Sequence, residues 1–318
     1  MPTSIATLPD LWCPFPSENN PHSDEVDGES FRWLNQHGLL EDELKIQRLR
    51  RQRSGALAGR TNPEVDATML RLLSDWYVWL FAFDDGYCES VEASGGSAAE
   101  AALTISRLTR ALDSDLQVLG AMEPFARSLQ EVRDRVDAVA SDFQLEYWKS
   151  TVRDYLAAQM WEVANREADR IPDLDEYLTM RRHTGATYTC LTLIDVTMRL
   201  GMSLHDVCDA EMRSLLDITA NLVSWDNDLY SHAKEMASDQ GRHNLVGVLA
   251  HHRKCSTSEA WELATAMRDR EMRNFVATCA QVEDNAEPQT RNFVRSLGLW
   301  LRGHIEWSRA SSRFEVAS

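Results

Sequence analysis

Two short stretches of this sequence place oxygen donors where a divalent cation would bind them. In Trp76-Tyr-Val-Trp-Leu-Phe-Ala-Phe-Asp-Asp-Gly-Tyr-Cys-Glu89, an apolar helical run leads straight into adjacent carboxylates, a costly arrangement without a cation. At about 100° per residue, Tyr77, Leu80, Phe81, Asp84 and Cys88 share a face, which sets Asp84 at the end of an aromatic wall. Glu89 falls about 140° from Asp84 and pairs better with Asp85 at i, i+4. Asp84 is thus the expected direct ligand, ahead of Asp85 and Glu89. Hard carboxylates with space left for water and phosphate oxygens suit Mg²⁺. Taken alone, the same pair also reads as solvated acids at a helix end.

The second stretch, Asn227-Asp-Leu-Tyr-Ser-His-Ala-Lys-Glu235, aligns an amide oxygen, a hydroxyl and a carboxylate at i, i+4 and i+8. Asn227, Ser231 and Glu235 therefore line one helix stripe and can chelate an ion without a second helix. Lys234 returns to within about 20° of Asn227 on the wheel, where its ammonium meets a diphosphate bound to that ion. Arg181 and Arg182 precede Thr184-Gly185; the arginine fork suits phosphate oxygens, and a glycine there can break the helix and free backbone carbonyls. Near the chain end, Trp307-Ser-Arg-Ala-Ser-Ser-Arg-Phe314 offers Arg313 as another phosphate donor, with Trp307 and Phe314 beside it as pocket walls.

The elements that must hold these residues are helices. The 318 residues are 43% apolar, with 14 Gly, 9 Pro and 10 Trp, a balance that favours long helices and a large core. Four prolines between Leu8 and Glu29 predict an extended strap over residues 1–29, followed by one helical body over 30–318. Helical periodicity predicts helices at about 30–52, 63–89, 98–113, 122–136, 141–167, 173–184, 187–201, 205–236, 242–252, 257–281 and 287–312. Turn chemistry separates them at Ser94–Ser97, Ile171–Asp173 and Ser238–Arg242. No window alternates like a strand, so the fold class is all-α.

A formal net charge of −17 excludes nucleic acid as a partner, because a polyanion needs a basic surface. The six cysteines lack metal-ligand spacing and read as free thiols of a cytoplasmic protein. No apolar run is long enough for stable membrane insertion.

Together these residues resemble the bacterial class I terpene synthases, from the strap motifs Pro14-Phe-Pro16 and Asn20-Pro21-His22 through to Arg313. Asp84-Asp85-Gly-Tyr-Cys-Glu89 looks like that family's aspartate-rich motif in its DDxxxE form, and Asn227, Ser231 and Glu235 look like its NSE triad. The separation of 46 between Arg181 and Asn227 puts Arg181 at the family's diphosphate-sensing position, with Thr184 as linker and Gly185 as effector. One departure is plain: the usual terminal Arg-Tyr pair reads Arg313-Phe314, without the phenol.

The resemblance implies a single-domain bundle of ten to twelve helices around a central apolar cavity. It implies three Mg²⁺ ions, two on Asp84 and one on the Asn227/Ser231/Glu235 stripe, with Arg181, Lys234 and Arg313 around the diphosphate. Tyr77, Leu80, Phe81, Trp307 and Phe314 would line the cavity. The implied reaction is ionisation and cyclisation of a linear isoprenyl diphosphate, C15 farnesyl diphosphate first, with C10 and C20 chains as alternatives. A homodimer, frequent in the family, is left open. A chain-elongating synthase would show a second aspartate-rich motif, and a noncatalytic isoprenoid-binding helical protein gives no reason for basic residues beside both acidic ones.

Overall fold

The computed structural model describes residues 9–88, 97–115, 122–237, 243–283 and 286–314. They form α1 (Ser23–His37), α2 (Glu43–Gln52), α3 (Ser54–Thr61), α4 (Ala67–Phe83), a π-helical turn (Asp84–Cys88), α5 (Ala98–Asp113), α6 (Glu123–Asp137), α7 (Asp142–Glu167) and α8 (Leu174–Thr184). Then come α9 (Thr187–Thr197), α10 (Leu204–Cys208), α11 (Ala210–Ala237), α12 (Leu245–Arg253), α13 (Thr257–Glu283), α14 (Pro288–Ala310) and a 3-10 turn (Ser312–Phe314). Among the described residues there is no strand, and no helix is long and apolar enough to cross a membrane.

Several starts follow from side-chain caps. Asp66 accepts from Met69 N–H at 2.9 Å to open α4, Asp173 from Glu176 N–H at 2.8 Å to open α8, and Ser97 and Ser141 form reciprocal capping boxes. α4 is apolar all round because it runs through the middle of the bundle. Trp76 stacks on Trp79 at 5.3 Å and Trp79 on Phe83 at 5.2 Å, while their indole N–H groups donate to Thr189 Oγ1 and the Phe125 carbonyl, both at 3.1 Å.

The chain is divided more finely than periodicity predicted. Of the predicted strap, residues 9–20 are irregular, 21–22 form a turn, and α1 already begins at Ser23. Pro21 ends the irregular run, and Asn20 is spent on the Val65 carbonyl at 2.8 Å. The helix expected over 30–52 is two helices, because Gly38 adopts φ 65° and closes α1. Arg53, also left-handed at φ 56°, then separates α2 from an unforeseen α3. The helix expected over 205–236 breaks at Asp209, whose carboxylate accepts from Glu211 and Met212 N–H at 3.1 Å each. The predicted turn Ser238–Arg242 lies outside the described residues, as does most of Ser94–Ser97.

Candidate active site

α4 delivers the acid pair, and the π turn that follows gives its two members different surroundings. Asp84 keeps 48% of its side-chain surface, whereas Asp85 keeps 1%. Arg313, reaching over from the 3-10 turn, donates from Nη2 to Asp84 Oδ2 at 2.7 Å and from Nη1 to Asp85 Oδ1 at 3.3 Å. Gln52 Nε2 donates to Asp85 Oδ2 at 3.0 Å, and Lys45 Nζ to the Asp85 carbonyl at 2.7 Å. Asp85 is therefore tied into the scaffold while Asp84 faces open space. Dense surrounding protein pushes the Asp84 carboxyl up, Arg313 opposes this, and Asp85 and Glu162 reinforce it; Lys234 also pulls downward. Those last influences put Glu162 and Lys234 within electrostatic range of Asp84. Glu89 lies outside the described residues.

On the far wall, the stripe on α11 meets α8. Arg181 Nε and Nη2 donate to Asp228 Oδ1 at 3.0 and 2.8 Å, and Nη2 also donates to Asn227 Oδ1 at 3.1 Å. Asp228 Oδ2 accepts from the Tyr177 hydroxyl and from Leu245 N–H, the latter at 2.8 Å. Asn244, the buried N-cap of α12, donates from Nδ2 to the Asp228 carbonyl at 2.8 Å and to Glu235 Oε2 at 2.9 Å. The end of the stripe is thereby oriented by a neighbour. Ser231 is buried in the same turn. Arg182 points elsewhere, to Asp217 at 3.1 Å.

The break expected at Gly185 is present. α8 stops at Thr184, Gly185 is exposed, and Ala186 turns left-handed at φ 57° before α9. A Cβ at Gly185 would come within 2.9 Å of Ser224 Oγ, so a larger residue there would force the Ser224 hydroxyl to move. Gln159 Nε2 takes the Thr184 carbonyl at 3.2 Å, and Thr187 Oγ1 donates to the Gly185 carbonyl at 3.5 Å.

The aromatic residues divide into two groups. Phe81 is half-buried, stacks on Trp307 at 5.6 Å and carries the Arg313 guanidinium over its ring at 4.5 Å. Phe314 meets Trp307 edge-on at 6.0 Å. Tyr77 belongs to the core: its hydroxyl accepts from Asn62 Nδ2 at 3.2 Å and Trp300 Nε1 at 3.3 Å. Leu80 is 7% exposed.

Sequence reasoning missed Glu162, Asp228 and Asn244 as parts of this site. Burial pushes the Glu162 carboxyl up, but His243, Arg166 and Arg181 outweigh it and hold the group below its usual range. Glu162 sits unmarked in the long helix α7, whereas an Asn before the apolar Leu245-Val246 was a readable N-cap.

Among the described residues no group of three or more His, Cys, Asp or Glu side chains is gathered to hold a metal. Asp84 at the end of α4 and Asn227, Ser231 and Glu235 on α11 all offer oxygen donors, which fits a hard cation. Asp84 and Asn227 now face the arginines Arg313 and Arg181. Positive charge is thus what these oxygens are arranged to receive.

A family model described as terpene synthase family 2, C-terminal metal binding, matches residues 75–274. The chain is 42% identical to a 4-epi-cubebol synthase ((2E,6E)-farnesyl diphosphate cyclizing) of Streptosporangium roseum, over 98% of this chain and 93% of that protein. It is 31% identical to a (+)-(1(10)E,4E,6S,7R)-germacradien-6-ol synthase of Streptomyces pratensis, over 98% and 87%. The solved structure of germacradien-4-ol synthase from Streptomyces citricolor has the same fold, with a TM-score of 0.81 at 24% identity over 94% of this chain and 97% of that one.

Proposed function

The chain belongs to the terpene synthases of family 2, class I enzymes with a metal-binding domain, and from that membership we propose that it cyclises farnesyl diphosphate to a sesquiterpene using three Mg²⁺ ions. The observation that supports the site assignment is that Arg313 and Arg181, far apart in sequence, each donate to one of the two oxygen motifs, Arg313 to Asp84 and Arg181 to Asn227. The C15 chain length is supported by the farnesyl-cyclising relative that aligns with nearly the whole chain.

Asp84 would hold two ions and Asn227, Ser231 and Glu235 the third, with Asp85 fixing the turn from beneath. When bound, the metals supply Lewis-acid charge that stabilises the diphosphate as its bond to carbon breaks. Arg313 turns from the half-exposed Asp84 to diphosphate oxygens, Arg181 keeps Nε on the buried Asp228 while its Nη groups turn from Asn227 and Thr184 to diphosphate, and Lys234 adds a third cation. The buried Asp228 thus keeps a charged partner when substrate enters.

The remaining side chains manage the cation. Phe81, Trp307 and Phe314 offer a dry wall with negative ring faces. The Gly185 carbonyl, with Thr184 as linker, adds a fixed negative dipole at the helix break. Released diphosphate can accept the final proton, so no histidine base is required. Phe314 contributes its ring but no hydroxyl, leaving Arg313 as the diphosphate donor of that terminal pair.

The test is incubation of purified protein with C10, C15 and C20 diphosphates, with and without Mg²⁺, followed by gas chromatography and mass spectrometry of a hexane extract. A cyclic C15 hydrocarbon or alcohol that requires Mg²⁺ is expected. A product only from the C10 or C20 substrate would overturn the chain-length assignment, and no product from a folded protein would overturn the cyclase itself.

A further inference from the structure

α11 has a second polar face, turned away from the proposed metal donors. Asp226 Oδ1 and Oδ2 accept from Arg268 Nε and Nη2 of α13 at 2.7 and 3.2 Å, and both side chains are 0% exposed. Arg268 Nη1 also donates to the Trp12 carbonyl of the strap, and to Asp269 Oδ1 at 3.3 Å. One turn along α11, the Tyr230 hydroxyl donates to the Pro9 carbonyl at 3.3 Å. The Tyr230 ring leans on Phe314 at 5.6 Å, next to Arg313. Leu11 and Cys13, within the same length of strap, are themselves buried.

These anchors have a regular relation to the front of the helix. Asp226 immediately precedes Asn227, and Tyr230 immediately precedes Ser231. Side chains one residue apart diverge by about 100° on a shared backbone turn. Pinning Asp226 and Tyr230 therefore fixes the angle at which Asn227 and Ser231 enter the recess. A fully buried ion pair is a poor source of stability compared with packed apolar residues, whereas it does set orientation. Loss of a hydrogen-bonded neighbour that orients a metal ligand typically costs about 10–100-fold in metal affinity or activity.

We infer that the strap segment Pro9–Cys13, gripped by Arg268 and Tyr230, is a brace that sets the rotation of the metal-binding helix. Arg268, Asp226 and Tyr230 are positioning residues for Asn227 and Ser231, and Tyr230 links the same brace to the seat of Arg313. The inference rests on the metal reading of the α11 stripe.

The test compares wild-type protein with D226N/R268M, which removes both buried charges together, and with Tyr230→Phe, which removes one hydroxyl. Ser17→Ala serves as a strap control, because Ser17 donates to Glu306 of α14 at 2.7 Å and not to a residue of α11. Calorimetry follows inorganic diphosphate binding as Mg²⁺ is titrated, alongside thermal melting and turnover. The double variant should need about tenfold more Mg²⁺ for half-maximal binding, and Tyr230→Phe about two- to threefold more, with kcat recovering at saturating Mg²⁺. Ser17→Ala should follow the wild-type curve. A folded double variant with wild-type Mg²⁺ dependence overturns the brace; should it not fold, an unshifted Tyr230→Phe curve does so. Wild-type protein that binds diphosphate without regard to Mg²⁺ overturns the metal reading, and the brace with it.

Discussion

The two acidic walls of the recess are built to different standards of support. The α11 stripe is secured by Arg181, Tyr177 and Leu245 on Asp228, by Asn244 on Glu235, and by the Arg268 pair behind Asp226. Across from it, Asp84 stands on a π turn with 48% of its side chain accessible, facing one arginine from the far end of the chain. The difference suggests a division of labour: α11 offers a preformed seat, and the Asp84 wall adapts when charge arrives.

Loss of a donor from the preformed wall should have the largest effect. Asn227→Ala and Glu235→Ala should each lower kcat/KM by about 10²–10³-fold or more, with melting temperature nearly unchanged. Normal turnover in either folded variant would remove the metal role from α11. The two arginines should then separate. Arg181→Ala should weaken diphosphate binding and also lower the melting temperature, because the buried Asp228 loses a charged partner at a cost of about 3–5 kcal/mol. Arg313→Ala should weaken binding by about 10–100-fold with a smaller loss of stability, since Asp84 remains in contact with water. Equal melting shifts for the two would contradict the proposed asymmetry.

A finer probe is Asn244→Ala. Freed from its amide, Glu235 should still bind metal, so half-saturating Mg²⁺ should rise by about tenfold while kcat at saturation changes little. Unchanged Mg²⁺ dependence would mean that Glu235 is oriented by other contacts.

The smallest effect expected concerns stability against pH on the braced side. Burial, reinforced by the charge of Arg268, lowers the His304 imidazole to about 3. The unfolded chain takes up that proton near pH 6.5 and the folded protein does not. His304 therefore costs no stability above pH 6.5 and progressively more as pH falls toward 3, up to about 1.4 kcal/mol per unit. Urea unfolding at pH 7.5 and 5.5 should show a smaller loss on acidification for His304→Leu than for wild type; parallel losses would exclude this histidine.

Much of the chemistry was legible because it is local. A ligand series at i, i+4, i+8 and an acid pair at the end of an apolar helix are patterns within one element, and so is a glycine at a helix break. The breaks at Gly38, Arg53 and Asp209 were hidden because periodicity carries across one left-handed or extended residue, and Arg53 bears no mark of its φ. Glu162 and Arg268 were hidden for another reason. Each is a charged residue inside a long helix, where sequence suggests a solvated face, and only tertiary packing buries it.

The close fit of Gly185 against Ser224 also bears on how this enzyme can change. Ser224 Oγ donates to the Arg181 carbonyl at 3.3 Å, so the joint between α8 and α11 also holds the backbone of Arg181. Adding bulk at 185 or 224 would therefore press on the turn that carries Arg181. A change of size at Phe81 or Trp307, which stack on each other at 5.6 Å, would instead be felt at Arg313, whose guanidinium lies 4.5 Å over the Phe81 ring.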